Sequence, residues 1–459
     1  MTLKLILFAS LFCASHSFAT PVKENQKIKV KIDVKKHTLA NGLTILLHED
    51  KSAPLVSYHT WFRVGSKDEE IGYTGIAHLF EHMMFKGAKR YDGKTFDRLL
   101  AANGASHNAF TTRDFTAYHA TLPSHKLELI IDLESDRMAN LQISEANLKS
   151  EREVVKEERR YRVEDSPMGL LSEATYSTVF RQHPYRWPII GWMADLDRIT
   201  VEKCREFFTK YYSPSNAVIV VAGDFASDEA LRLIQKYYNG IPSHPFVAKK
   251  LPEEPPQTSM RQRNVSKQVQ NESISIAFKT VPAGHPDYYD LDILAGVFGE
   301  GSSSRLYKKL VYDQQVASAV GVQHSGAMGP GVFQVLMQLK PGGSHDQALQ
   351  TAYSQMWDLR NKLVTPKEME KARNQVMRNY VDALRTVNGK AMALAYNEIV
   401  LGSYEFLFKD LDHYFNVTAE SLRKVAAKYL NTNQRNLIVV ARFAPTAPAP
   451  QEPEAKKDE

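Results

Sequence analysis

The feature that most restricts the fold is a helix-strand unit that occurs twice, on either side of a proline-rich segment. Five residues return at an offset of 218: Thr200, Glu202, Arg205, Lys210 and Tyr211 recur as Thr418, Glu420, Arg423, Lys428 and Tyr429. An apolar strand follows each set, at residues 217–222 and 437–441. A threonine before a helical period is a typical N-cap. The repeat therefore predicts two lobes of similar architecture.

The proline-rich segment between these units spans residues 241–267. It holds five prolines and shows no helix or strand period. We therefore predict an exposed linker there, with an N-terminal lobe at residues 27–240 and a C-terminal lobe at residues 268–443. The tail at residues 444–459 combines Pro and Ala with charged residues, so we expect it to be disordered.

The first 19 residues have the pattern of a cleavable secretory signal. Lys4 precedes an apolar run at residues 5–14, and Ser17-Phe18-Ala19 forms a small-residue cleavage site. This run is shorter than the roughly 20 residues that span a bilayer, and no later run is longer. We expect the mature chain to be secreted across an inner membrane into the periplasm, without a membrane span. Removal of the signal leaves Cys204 as the only cysteine of the mature chain, so no internal disulfide can form.

The charge distribution excludes nucleic acid from the expected partners. The net charge is +6 over 459 residues, and basic and acidic residues are interspersed rather than collected in a basic stripe. The hydrophobic share of 43% is enough for sizeable cores. We therefore expect an ordinary globular chain that does not bind nucleic acid.

The N-terminal half alternates strand-like and helical periods. An Asn41-Gly42 turn predicts a hairpin at residues 36–49. Further strands are predicted at residues 55–64 and 108–121, and helices at residues 75–85, 94–103, 126–140 and 144–162. Antiparallel strands with helices grouped on one face define an α+β lobe. We predict two such lobes that form a clamshell around a central cavity.

One predicted helix carries the motif H-x-x-E-H. His78 and His82 are four residues apart and share a helix face, which is the spacing at which two imidazoles bind one zinc ion. Glu81 lies on the same side, where a carboxylate can take a proton from water. The apolar residues among them suit a plain core helix equally well, so the motif alone leaves the metal site open.

A third ligand is expected from the acidic helix that follows Ser150. Zinc peptidase sites combine two histidines with a carboxylate and keep one position open. Glu151 and Glu158 are seven residues apart and share a face, so one could bind metal while the other supports a histidine. Neighbouring Arg and Lys residues would also pair with these acids on a solvated face, and spacing does not decide between the two.

The two motifs together resemble a known family. The first motif is His78 to His82, and the second is the run 151–158 (EREVVKEE), in which Glu158 lies 76 residues after His82. This pair of motifs resembles the pitrilysin/insulinase family of zinc metallopeptidases, the inverzincins. The branch resembled contains the mitochondrial processing peptidases and their bacterial relatives. The resemblance implies one Zn²⁺ per chain on His78, His82 and Glu158. It also implies Glu81 as the general base on zinc-bound water and Glu151 as a supporting acid.

The resemblance further implies how substrate is bound. Asn108, Ala109 and Phe110 would lie on an edge strand that pairs with the substrate backbone by strand addition. The expected activity is a zinc-dependent endopeptidase that hydrolyses peptides or unfolded segments. The alternative is a non-catalytic structural or peptide-binding subunit in a complex with a paralogue.

The second lobe departs from the pattern of active relatives. Those relatives carry an Arg and a Tyr that hold the scissile carbonyl. The corresponding positions in this chain are Val311 and Ser318. Neither side chain can polarise a carbonyl. We therefore expect a paralogous partner that supplies the Arg and the Tyr in a heterodimer, or otherwise a homodimer.

Overall fold

The protein is described from a computed structural model, and the structure describes residues 32–442. The predicted signal at residues 1–19 and the predicted tail at residues 444–459 lie outside the described residues. Two α+β lobes, each with its own sheet and its own apolar core, make up the described chain. The predicted fold class is therefore confirmed.

The N-terminal lobe is built on a six-stranded sheet with the order β1-β2-β6-β3-β5-β4. The β2–β6 pair is parallel and the other pairs are antiparallel. The strands are β1 (Lys35–Thr38), β2 (Thr44–Glu49), β3 (Leu55–Phe62), β4 (Ser106–Thr111), β5 (Thr116–Pro123) and β6 (Ala217–Gly223). Every residue of β6 is buried, because this strand lies inside the sheet and is covered on both faces.

Helices of this lobe pack on one face of the sheet and form a single apolar core with it. They are α1 (Ile76–Met83), α2 (Gly93–Ala102), α3 (Leu127–Asn140), α4 (Glu145–Arg159), α6 (Met193–Leu196), α7 (Val201–Tyr211) and α8 (Ser227–Tyr238). The remaining helix of this half, α5 (Pro167–Val179), packs on the sheet of the C-terminal lobe. Single 3₁₀ turns and a π-helical turn lie before and between the helices, at Ser66–Asp68, Ser124–Lys126, Arg160–Glu164, Pro184–Arg186 and Pro214–Asn216.

The C-terminal lobe has a five-stranded sheet with the order β7-β11-β8-β10-β9. Its strands are β7 (Arg261–Ser266), β8 (Ser273–Lys279), β9 (Ala317–Ser325), β10 (Val332–Leu339) and β11 (Asn436–Ala441). Its helices are α9 (Pro286–Gly299), α10 (His345–Asn361), α11 (Pro366–Ala383), α12 (Val387–Val400), α13 (Phe406–Asn416) and α14 (Ala419–Tyr429), with a π-helical segment at Tyr307–Asp313 and a 3₁₀ turn at Thr432–Gln434.

The two sheets share one topology, as the repeated sequence unit predicts. Strands β2, β6, β3, β5 and β4 correspond in order to β7, β11, β8, β10 and β9, and in both sheets the first of these pairs is parallel. The repeated threonines Thr200 and Thr418 each cap a helix by accepting a backbone hydrogen bond. Only β1 has no counterpart in the second sheet.

Two predictions of strand positions are wrong. The predicted linker contains β7, a strand that begins the second copy of the fold and pairs in parallel with β11. Its sequence RQRNVS has no apolar alternation because the strand lies at a sheet edge and is mostly exposed. The single strand predicted at residues 108–121 is a hairpin of β4 and β5, because residues 112–115 turn the chain back on itself.

Each sheet is covered on its second face by a helix from the other lobe. Helix α12 packs on β3 and β6, and helix α5 packs on β8 and β11. Asn388 of α12 is hydrogen-bonded to His59 of β3, and Thr175 of α5 donates to Ser275 of β8. Within a lobe, the helices of the core lie on one face of the sheet, as predicted. Helices α5 and α12 each pack on the sheet of the other lobe and so join the two lobes. Across residues 32–442, we find no helix that combines the length and apolarity required to cross a bilayer.

Candidate metal centre

Helix α1 is held at its start by a buried acid and a glycine. The amide of Ala77 donates to Glu69 Oε1 at 2.9 Å, which satisfies one of the free amides of the first turn. Burial raises the pKa of Glu69 well above its usual value. Gly75 precedes the helix with φ 91°, and a Cβ there would lie 2.6 Å from the Ile190 carbonyl oxygen. These contacts fix where the motif helix begins.

The two histidines of α1 point toward α4. Leu79, Phe80 and Met83 bury the opposite side of the helix in the lobe core. The rings of His78 and His82 have centroids 4.9 Å apart. Helices α1 and α4 are packed together, and Glu158 of α4 places Oε2 at 3.6 Å from His78 Nε2 and 3.3 Å from His82 Nε2.

These three side chains fit a zinc ion. A tetrahedral zinc with bonds of about 2.0–2.1 Å separates its ligand atoms by roughly 3.3–3.4 Å, and the two histidine–carboxylate distances are close to that value. Ligand atoms of His78, His82 and Glu158 all lie within 4.8 Å of one another. Among the residues that the structure describes, no second group of three His, Cys, Asp or Glu side chains meets this condition.

Glu151 lies on the outer side of His82. Its Oε2 is 3.5 Å from His82 Nδ1, and its Oε1 is 2.7 Å from Lys86 Nζ. A carboxylate on the second ring nitrogen orients a ligating histidine and fixes its tautomer. Of the two acids left open by their spacing, Glu158 therefore has the position of a ligand and Glu151 that of its support.

The electrostatics of the group are those of a site suited to a cation. Burial lowers the pKa of His78 to about 4, and the neighbouring His82 acts in the same direction. Burial also lowers the pKa of His82, but Glu151 and Glu158 outweigh it and raise the value to about 9. Burial raises the pKa of Glu158, but the two histidines and Arg162 outweigh it and lower the value to about 2. Glu158 is therefore ionised.

The predicted base, Glu81, sits beside the two histidines and under the edge strand. Its Oε2 accepts a hydrogen bond of 2.7 Å from Thr111 Oγ1, at the end of β4. Burial raises the pKa of Glu81, which suits a group that must take up a proton near neutral pH. Sequence reasoning missed Thr111, since nothing in the local pattern shows that the strand end meets α1.

Strand β4 is an edge of the six-stranded sheet, and it carries Asn108, Ala109 and Phe110. The amide of Ala109 donates to the Asn108 side chain, whereas the amide of Thr112 donates back to Phe115 in the hairpin. Alternate residues of an antiparallel strand direct their backbone groups to opposite sides. The amides of Ala109 and Thr111 therefore face away from β5, where another strand could pair with them. The Phe110 ring packs edge-on against Trp61 at 5.7 Å.

A cavity of about 310 Å³ opens beside His78. Glu158, Thr111 and Arg113 also line it. The open side gives water and a substrate access to the candidate ligand atoms, as a catalytic rather than a structural metal site requires.

Val311 and Ser318 lie in the C-terminal lobe and have no part in this group. Val311 is in the π-helical segment and packs against the lobe core. Ser318 is an exposed residue of β9 whose hydroxyl donates to the Gln338 carbonyl. Neither residue offers a cation or a phenol.

The fold and the side-chain group define the class of protein. A two-lobed α+β chain that carries H-x-x-E-H on a helix and a glutamate on a second helix has the framework of the inverzincin peptidases. The chain belongs to the insulinase family, peptidase family M16. Residues 44–191 match "Insulinase (Peptidase family M16)", and residues 198–376 match "Peptidase M16 inactive domain". The predicted family is therefore confirmed.

Relatives named as zinc proteases align along most of the chain. Zinc protease PqqE of Helicobacter pylori is 27% identical over 405 residues, which is 87% of this chain and 91% of PqqE. The uncharacterized zinc protease YmxG of Bacillus subtilis is 28% identical over 89% of this chain and 98% of its own length. A protease from H. pylori of known crystal structure is 27% identical, with a TM-score of 0.84 over 90% of this chain and all of that chain.

Proposed function

We propose that this chain is a zinc-dependent endopeptidase that cleaves peptides or unfolded segments bound as an added β-strand. The observation that carries the proposal is the convergence of His78, His82 and Glu158 beside Glu81, at an open cavity next to an edge strand. The names of the relatives support a protease. A bound zinc ion would supply Lewis acidity, which polarises a carbonyl and makes a water molecule a better proton donor.

Glu81 is the proposed proton carrier. Its carboxylate takes a proton from the attacking water and delivers it to the leaving nitrogen when the peptide bond breaks. Thr111 holds Glu81 by the 2.7 Å hydrogen bond, so the carboxylate is oriented before substrate arrives. Glu151 keeps His82 in place through Nδ1.

Strand β4 is the proposed docking site for the substrate backbone. The outward amides of Ala109 and Thr111 can pair with an extended chain, which then runs past Glu81 at the strand end. Main-chain pairing accepts many side chains, so this mode suits a protease of unfolded segments. Asn108 would release the Ala109 amide when the substrate strand is added.

We also propose that a paralogous partner completes the site. Two observations support this proposal. Val311 is an apolar side chain that packs against the lobe core, and the Ser318 hydroxyl donates to the Gln338 carbonyl. Without an Arg and a Tyr in these positions, the carbonyl oxygen lacks donors from the second lobe. A donor that stabilises the oxyanion contributes about 10²–10³ in kcat in other hydrolases. A second copy of this chain is the other candidate partner.

The test is hydrolysis of quenched fluorescent unstructured peptides by the purified full chain, assayed alone and with the product of a paralogous gene that carries the Arg and the Tyr. We expect a chelator to abolish cleavage and added zinc to restore it, and the partner to raise kcat by about 10² or more. Full activity of the isolated monomer would contradict the partner. No cleavage of any peptide by zinc-loaded chain with any partner would contradict the peptidase.

The proposed location is the periplasm, on the strength of the signal pattern at residues 1–19. Fractionation of cells that express the full chain tests it. We expect a mature form about 19 residues shorter, released with the periplasmic fraction. An uncleaved cytoplasmic chain would contradict it.

A further inference from the structure

The cavity beside the metal centre contains an arginine that has no ionic partner. Four charged side chains and one histidine line this cavity: Arg113, Glu158, Arg162, Glu173 and His78. Arg113 lies in the turn between β4 and β5, two residues after the Thr111 that binds Glu81. Among the described residues, no carboxylate lies within ion-pairing distance of its guanidinium, and its Nε is buried without a hydrogen-bond partner.

The other charges of the cavity are already engaged. Glu158 Oε2 faces the two histidines, and Glu158 Oε1 lies 2.9 Å from Arg162 NH1. Glu173 binds Arg159 NH1 at 2.8 Å. Arg113 is therefore the cavity side chain whose charge is not balanced within the described chain.

The acid next to Arg113 in sequence is also engaged elsewhere. Asp114 Oδ1 accepts a hydrogen bond from the Tyr185 hydroxyl at 2.6 Å, and Oδ2 accepts one from the Met328 amide at 3.0 Å. Lys67 Nζ lies 3.7 Å from Oδ1. Both oxygens of Asp114 are therefore engaged by other groups, and neither forms an ion pair with the guanidinium.

The position of Arg113 is fixed before any ligand binds. Its guanidinium carbon lies 3.5 Å from the ring centroid of Tyr176, and the Tyr176 hydroxyl is 3.2 Å from Ser325 Oγ in the second lobe. Gly65 packs on the backbone of the turn, where a Cβ would meet the Arg113 carbonyl at 2.6 Å. An arginine stacked on an aromatic ring presents its planar fork for two-point binding of a carboxylate.

We propose that this cavity is a specificity subsite for an acidic residue of the peptide, whose carboxylate pairs with Arg113. The inference rests on the proposed peptidase function and names its preferred substrate class. The cavity shares His78 and Glu158 with the metal centre and Thr111 with the docking strand, so its ligand is a side chain next to the scissile bond. A neutral or basic side chain there leaves the half-buried Arg113 cation unpaired, which costs affinity.

The test is a binding measurement that does not depend on turnover. The zinc-loaded full chain with Glu81→Gln serves as the trap, with the proposed partner added where cleavage requires it. Each fluorescein-labelled unstructured decapeptide carries Glu, Gln or Lys at one position, and this position is varied from peptide to peptide. Fluorescence anisotropy gives the Kd of each peptide. We expect one position at which Glu binds about tenfold or more tightly than Gln.

Variants on the trap background assign that preference to Arg113. Arg113→Gln removes the difference between Glu and Gln peptides, Arg113→Lys retains part of it, and Arg113→Glu shifts the preference to Lys. Arg232→Gln, a change on an exposed arginine of α8, leaves the preference intact. Thermal unfolding and zinc content show that each variant is folded and loaded.

The outcomes separate this inference from the proposed function. Peptide binding with equal affinity for Glu and Gln at every position overturns the acidic subsite and leaves the peptidase standing. A Glu preference that survives Arg113→Gln overturns the role of Arg113. Failure of the zinc-loaded chain to bind any peptide overturns both.

Discussion

Replacing Glu151 with alanine tests the proposed support of the metal centre without relying on activity. In the structure, Glu151 Oε2 is 3.5 Å from His82 Nδ1 and Oε1 is 2.7 Å from Lys86 Nζ. The change leaves His82 free to rotate away from Glu158 and places the unpaired Lys86 cation near the site. All three proposed ligands remain, so the change should weaken zinc binding rather than abolish it.

The expected magnitude follows from these contacts. Loss of a carboxylate that orients a ligating histidine typically lowers metal affinity 10- to 100-fold, about 1.4–2.7 kcal/mol. Glu151→Gln should fall between wild type and Glu151→Ala, because its amide oxygen can still accept from His82 Nδ1 while the charge opposite Lys86 is lost. Glu153→Ala is the matched control, since Glu153 is an exposed acid of the same helix that contacts Lys156.

Competition with a chromophoric zinc chelator at fixed pH measures the affinity of each variant. We expect the order wild type, equal to Glu153→Ala, then Glu151→Gln, then Glu151→Ala, with Glu158→Ala weakest. A Glu151→Ala variant that binds zinc within about threefold of wild type would refute the supporting role. Loss equal to that of Glu158→Ala would show Glu151 to be a ligand.

Three further predictions address the base, the docking strand and the joined lobes. Thr111→Val should lower kcat about tenfold at unchanged zinc content, because it removes the hydrogen bond to Glu81; steady-state kinetics check this. Peptides N-methylated at single positions should show a raised KM at alternate positions only, as the outward amides of β4 require; a flat profile would count against strand addition. Asp114→Ala should destabilise the chain by about 3 kcal/mol in urea unfolding, because the Tyr185 hydroxyl and the Met328 amide lose their acceptor and Lys67 loses one of its two ion-pair partners.

Sequence reasoning reached the parts of the fold that local pattern and repetition encode. The repeated Thr-capped helix and apolar strand predicted two lobes, and both units occupy the same place in their sheets. The H-x-x-E-H spacing placed two histidines on one face because a helix fixes that geometry. Spacing alone left the third ligand open because Glu151 and Glu158 share a face, and Glu158 was named only through the family resemblance. The packing of α4 on α1 separates the positions of the two acids.

The remaining features depend on contacts between distant segments. Strand β7 has no apolar alternation, so its pairing with β11 could not be read from composition. Thr111 and Glu69 reach α1 from a strand end and a loop, and no sequence spacing relates them to the motif. The exchange of α5 and α12 between the lobes is likewise tertiary, since their sequences are those of ordinary buried helices.

The proposed mechanism requires Glu81 to act as the base beside a zinc ion held by His78, His82 and Glu158. The most direct measurement is the cleavage rate of an unfolded polypeptide by wild type and Glu81→Gln, each with its zinc content determined and with the proposed partner present. We predict one zinc per chain in both proteins and a rate at least about 100-fold lower for Glu81→Gln. Equal zinc content with rates within about threefold of each other would contradict it.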